Sequence, residues 1–257
     1  ELMSAALAVL CNVDHLTEDL QIWATSEFNF VELSDSHSRS SVIMPQKKNP
    51  YSLTFVRGVA REMICRLAGT AALQSTPSGQ VDNRIFTYSM VPQGLMQTTQ
   101  ALKLLSATVS GLTVNKDEMS LATVKSLGGS TDLAEEIMTK YGIDAKTANS
   151  IVGRAVRSAT QMGKELEADL LNSAAKDIIN RSLNMSDDII EKIMDPKAIV
   201  ATRTGPGGAS SKSVQEMITT FRDLVYKSNQ WRISEGSRLK DAEKKLIEKV
   251  TALCQYT

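Results

Sequence analysis

Cysteine is scarce. The three residues, Cys11, Cys65 and Cys254, are odd in number, far apart and without a Cys-x-x-Cys pair. That argues against a disulfide framework or a cysteine zinc site, and it suits a reducing cytoplasm. Glycine and proline are also few, 14 and 6 in 257 residues, as expected of long helices rather than turn-rich sheets. Net charge is absent, because 29 Lys+Arg balance 29 Asp+Glu. Neither nucleic acid nor a membrane surface is indicated, since both select for a basic face. No apolar run approaches the roughly 20 residues of a membrane span. The start, "ELMSAALAVLCNVDHLTEDLQIW", shows no signal-peptide pattern. It lacks an initiator Met and is already in a helical period, which reads as a fragment whose N-terminal part lies elsewhere.

What is present is helical periodicity. Leu7, Leu10, Leu16, Leu20 and Trp23 share one face of a helix over 2–26. A second helix starts at Pro50, which suits a first helical position, with Asn49 placed to cap it. Its core face is Leu53, Val56, Ala60, Met63, Ile64, Leu67 and Ala71. A third helical run, across Pro92, is kinked there or begins there. Past "TVNKDEM", where Asn115 is a candidate cap, come helices over 130–141, 144–170, 173–181 and 186–194, then an amphipathic run from Ser210. No strand alternation of convincing length occurs, and the 11 methionines read as core filler. The expected fold is all-α: a long-helix bundle over 1–118 with a loop at 36–50, then a smaller helical domain and tail over 119–257.

The segment "VELSDSHSRSS" (31–41) has no apolar period and reads as a mobile surface loop. It leads into "SSVIMPQKKNP" (40–50), with hydroxyls at Ser40 and Ser41, ammonium groups at Lys47 and Lys48, and the Asn49 amide at a helix start. A helix N-terminus favours anions through its unpaired N–H groups and macrodipole. Two readings stay open from the residues alone: a carboxylate or phosphate clamp, or a solvated lysine-rich turn with an Asn cap. "RTGPGG" (203–208) is either an anion-binding nest or a simple turn, with the turn favoured. His37 reads as a solvated loop histidine and His15 as a packing or surface residue.

The string "SSVIMPQKKNP" resembles the signature loop of the fumarase/aspartase superfamily, and "MPQKKNP" is the form typical of argininosuccinate lyases. "HLTEDLQIWATSEFNFVELSD" is similar to the helix that precedes that loop in those enzymes. "STDLAEEIMTKYGIDAKTANSIVGRAV" and "IVATRTGPGGASSKSVQEMI" resemble their C-terminal domain. The resemblance covers most of residues 1–220. It implies a homotetramer built around long helices, with each active site drawn from three subunits. It also implies anti β-elimination from a small-molecule substrate carrying a succinyl group, releasing fumarate and an amine, with no metal or organic cofactor.

Residue by residue, the resemblance places the catalytic base at Ser41, or at Ser40 if the register slips by one. A free serine is a poor base, so it must act as an alkoxide stabilised by cations and backbone N–H groups. Lys47 matches the lysine that meets the substrate carboxylate, Asn49 matches the substrate-contacting asparagine, and Lys48 is expected to be exposed or paired. The acid histidine of the family lies in a segment absent here, so the isolated chain is expected to be inactive. The pattern departs from the family at Ser40 (Gly), Val42 (Ser) and Thr54 (Glu in argininosuccinate lyases). In "STPSGQVDNRIFTYS" Gln80 lies near the family's Tyr position, and Arg84 is a candidate replacement cation. A sister lyase or cycloisomerase acting on another N-succinyl substrate, and a non-catalytic crystallin-like scaffold, therefore remain as alternatives.

Overall fold

The computed structural model describes residues 1–41, 43–44, 47–75, 82–125 and 127–254, with only the backbone for 83, 84, 124 and 125. Val42, Gln80 and the Arg84 side chain lie outside that description. The chain forms two compact units, Glu1–Ala122 and Thr123–Thr257. Both are built from helices, and the strands among the described residues are two residues long each.

In the first unit three long helices, α1 (Leu2–Trp23), α2 (Tyr51–Leu73) and α3 (Thr87–Ser110), pack pairwise. Their shared core holds Met3, Leu10, Leu53, Val56, Met63 and Leu105, each buried. The buried stripe of α1 is rotated from the expected one, because Thr17 is buried whereas Leu16 is 44% exposed. The Thr17 hydroxyl donates to the Val13 carbonyl at 3.0 Å, which satisfies it inside the core. On α2, Val59 is buried and Ile64 is exposed. Pro92 lies inside α3 rather than at its start. The α1–α2 contact also carries an ionic network: Arg57 donates to Asp14 at 3.1 Å, to Gln21 at 2.8 Å and to Glu18 at 2.7 Å, and Arg61 donates to Asp14. Burial raises the Asp14 pKa, but hydrogen bonds from Arg61 and Arg57 outweigh it and hold the carboxyl below its ordinary value.

Strand β1 (Val31–Glu32) follows α1, and β2 (Arg39–Ser40) pairs antiparallel with β3 (Lys48–Asn49), in the register Arg39 with Asn49 and Ser40 with Lys48. β1 pairs with β4 (Thr113–Val114), just after α3. Val31 and Leu33 are buried, which ties this crossing to the bundle core. The segment expected to be a mobile loop is a compact turn. The Ser34 carbonyl accepts from the His37 N–H at 3.0 Å and from the Ser38 hydroxyl at 2.9 Å. Local hydroxyl bonds of this kind leave no apolar period to read.

Helix α4 (Lys116–Lys125) spans the boundary between the units. The second unit continues with α5 (Ser130–Tyr141), α6 (Ala145–Met162), α7 (Ala168–Ile179), α8 (Asp187–Met194), α9 (Pro196–Thr202) and α10 (Ser211–Cys254). Leu133, Ile137, Ile151 and Leu171 form the centre of its core, all fully buried. The expected helix over 144–170 is two helices, because Gly163 takes φ +64 and closes α6. Asp144 caps α6, its side chain accepting from the Thr147 N–H at 3.0 Å. No helix among the described residues is long and apolar enough to cross a membrane.

The "RTGPGG" segment folds as a turn. The Gly208 N–H donates to Gly205 at 2.9 Å and the Ser210 N–H to Arg203 at 3.1 Å, so these donors are spent internally. A Cβ on Gly208 would lie 2.1 Å from the Arg203 carbonyl oxygen. Gly208→Ala is therefore expected to destabilise the protein by about 1–3 kcal/mol through backbone displacement, measured by urea unfolding. An unchanged midpoint would show that the turn yields freely.

Candidate active site

The β2–β3 pair forms the stem of a hairpin whose described tip residues are Ser41, Ile43, Met44 and Lys47. Val42, Pro45 and Gln46 lie outside the described residues. The stem is anchored by charge. The Lys48 ammonium reaches Glu32 at 2.7 Å and Asp35 at 2.8 Å, so it is paired. The hydrogen bonds of Asp35 and Glu32 hold the Lys48 pKa well above its ordinary value, and Lys48 in turn holds the Asp35 carboxyl low. Lys48 and Asp35 therefore both stay ionised at neutral pH.

At the tip, Ser41 Oγ accepts hydrogen bonds from the backbone N–H of Ile43 at 3.3 Å and of Met44 at 3.1 Å. As plain structure this is the local hydroxyl turn that serine commonly makes. As chemistry it aims two fixed dipoles at the oxygen, and such donors stabilise negative charge there more than a neutral hydroxyl. Ser40 is exposed in β2, opposite Lys48, as part of the stem. The Lys47 backbone N–H closes the tip onto the Met44 carbonyl at 2.9 Å. Its exposed ammonium has no ion-pair partner among the described residues. Lys47 is thus the uncommitted charge of the lysine pair.

Asn49 does not cap α2. Pro50 occupies the cap position, and the Asn49 side-chain amide instead donates across the stem to the Arg39 carbonyl at 3.2 Å. The β pairing at Asn49 directs it away from the helix. Thr54, in the first turn of α2, accepts from the Gln21 amide at 2.8 Å. His37 is not simply solvated: its Nδ1 lies 2.8 Å from the Ser34 hydroxyl and 3.2 Å from that of Ser36. His15 is exposed on α1.

Three features of this site follow from the fold rather than from any motif in the sequence. Glu32 and Asp35 sit far from Lys48 in sequence, so only the fold joins them. Arg39 lies 5.6 Å from the Tyr51 ring centroid, a cation–π contact that fixes a further cation beside the stem. The Ser52 hydroxyl, at the start of α2, is buried without a hydrogen-bond partner among the described residues. The hairpin therefore gathers a hydroxyl under two N–H donors, an uncommitted ammonium and an amide on one short segment.

Residues 1–65, which include the whole hairpin, match the family described as Lyase. The argininosuccinate lyase of Methanoculleus marisnigri is 29% identical over 250 residues, 96% of this chain and 50% of that protein. The argininosuccinate lyase of Leuconostoc mesenteroides is 30% identical over 226 residues, 88% of this chain and 48% of that protein. Among solved structures, an EDDS lyase variant with bound fumarate superposes with a TM-score of 0.87 at 26% identity, covering 98% of this chain and 51% of that one. The chain spans about half the length of the curated relatives it matches.

Proposed function

The chain belongs to the fumarase/aspartase superfamily of lyases, and from that premise we propose that it supplies the base and a carboxylate-holding cation for fumarate-releasing β-elimination. The substrate is a substituted succinate, argininosuccinate first. The observation that carries this reading is the double N–H donation to Ser41 Oγ. A deprotonated Ser41 Oγ takes the proton from the carbon next to a substrate carboxylate, forming its O–H bond. The electron pair of the broken C–H bond moves into that carboxylate, giving a doubly charged aci form. Lys47 stabilises this dianion more than the singly charged ground state. The pair then returns to make the C=C bond of fumarate as the C–N bond breaks. The amine leaves with the C–N electrons and takes a proton from an acid on another segment of the assembled enzyme.

The relatives named argininosuccinate lyase support the first substrate. Thr54 in place of glutamate, together with the EDDS lyase likeness, supports a second reading, elimination from a different N-succinyl amine. The exposed apolar residues of the first unit, such as Leu2, Phe55, Tyr88 and Met96, support burial between subunits of a homotetramer.

The test is made on the complete gene product that carries these 257 residues, with fumarate followed by its ultraviolet absorbance. Argininosuccinate is expected to yield fumarate from a tetramer by light scattering. Fumarate from other N-succinyl amines alone would select the second reading. Failure with every substituted succinate would overturn the proposal.

A further inference from the structure

Helix α10 runs for 44 residues, and among its described side chains only Ser213 is buried. It nonetheless carries a large apolar load, with Phe221 63%, Val225 68%, Leu246 64% and Leu253 71% exposed. These residues follow a heptad. One row, at every seventh position, is Ile218, Val225, Arg232, Leu239, Leu246 and Leu253. The row beside it is Val214, Phe221, Ser228, Glu235, Ala242 and Lys249. From Val214 to Leu253 the two rows span about 60 Å at 1.5 Å per residue, and a heptad sustained over that many repeats, mostly apolar with a few polar layers, is the pattern of a coiled-coil seam.

The charges within the seam decide what covers it. A parallel, in-register pair of such helices would press Arg232 on Arg232, Glu235 on Glu235 and Lys249 on Lys249. An antiparallel pair, centred between Ile233 and Ser234, instead sets Arg232 against Glu235 twice. The same alignment brings Phe221 to Leu246, Val214 to Leu253 and Val225 to Ala242. Lys249 lays its aliphatic stem on Ile218 and keeps its ammonium in water. In the flanking rows Arg222 meets Glu243, and Arg238 meets the Trp231 ring. No like charges face each other.

We propose that α10 pairs antiparallel with α10 of a second copy of this chain. The pairing is isologous, so it closes on itself as a two-fold contact. The central polar layers fix orientation and register, as buried polar positions do in coiled coils. The groups needed are available. Glu235 Oε2 accepts from Arg238 Nε at 2.8 Å, which leaves Oε1 for the second copy. Arg232 spends Nε and Nη2 on Asn229 at 3.2 and 2.9 Å, which leaves Nη1. The proposal is independent of the elimination chemistry, which rests on the first unit.

The test uses the 257-residue chain with Cys11, Cys65 and Cys254 replaced by Ser. Phe221→Cys and Leu246→Cys variants are oxidised with copper phenanthroline and air, separately and mixed, with circular dichroism as the check on helix content. The mixture is expected to give at least ten times more disulfide-linked dimer than either variant alone. Self-linking of Phe221→Cys at the level of the mixture would mean a parallel pair and overturn the proposal. No linking in any sample would mean that something other than a second α10 covers the face, and would overturn it equally. Adding Arg232→Glu to both variants is expected to cut the mixed yield at least tenfold. Adding Glu235→Arg as well is expected to restore it; no restoration would remove the charge argument.

Discussion

Ser41→Ala in the active gene product is expected to lower kcat by 10²–10⁴-fold, the usual cost of losing a positioned general base. The Michaelis constant should change little, because the proposed carboxylate partner, Lys47, is left in place. The fold should survive. Ser41 is half-exposed at the hairpin tip, and removing Oγ frees two backbone N–H groups that water can reach. Ser40→Ala is the control. It alters an exposed stem residue and should stay within about tenfold of the parent, a difference of ~1.4 kcal/mol. An inactive Ser40→Ala beside a near-normal Ser41→Ala would move the base by one residue. Full activity in both would remove serine from the mechanism.

Lys47→Ala should damage rate and binding together. In its proposed role the ammonium acts on the substrate carboxylate and more strongly on the aci-carboxylate, so kcat is expected to fall by about 10²–10³-fold, the usual loss for one transition-state donor, with a raised Michaelis constant. Lys48→Ala separates charge from position. Lys48 already spends its charge on Glu32 and Asp35, so its loss should cost less than about tenfold in rate (~1.4 kcal/mol). Equal damage from the two lysines would mean that the stem, rather than an uncommitted ammonium, governs the reaction.

The helical architecture was legible because 3.6-residue periodicity records which face is buried. The limits of that record are equally physical. Period alone favoured Leu16 and Ile64, yet α1 buries Thr17 instead because its hydroxyl bonds the preceding turn. The 144–170 run hid a stop, since nothing in its apolar spacing marks Gly163 as left-handed. The site residues were legible as a string, and the resemblance separates Lys47 from an exposed or paired Lys48, but the partners of Lys48 were not legible. Glu32 and Asp35 lie well before Lys48 in the chain, and only the fold brings them to it. Asn49 before Pro50 has the sequence look of a helix cap, whereas its amide donates across the stem to the Arg39 carbonyl.

The hairpin divides a fastened base from a bare tip, and that division has a practical use in directed evolution. Ile43 is 89% exposed and Met44 42% exposed in this chain, so neither holds the bundle core together. In most proteins, randomising residues beside a reactive group yields clones that fail because they no longer fold. Here a library confined to Ile43 and Met44, with proline left out, keeps the two backbone donors to Ser41 while changing what surrounds it. Dead clones from such a library are expected to remain folded, which circular dichroism checks.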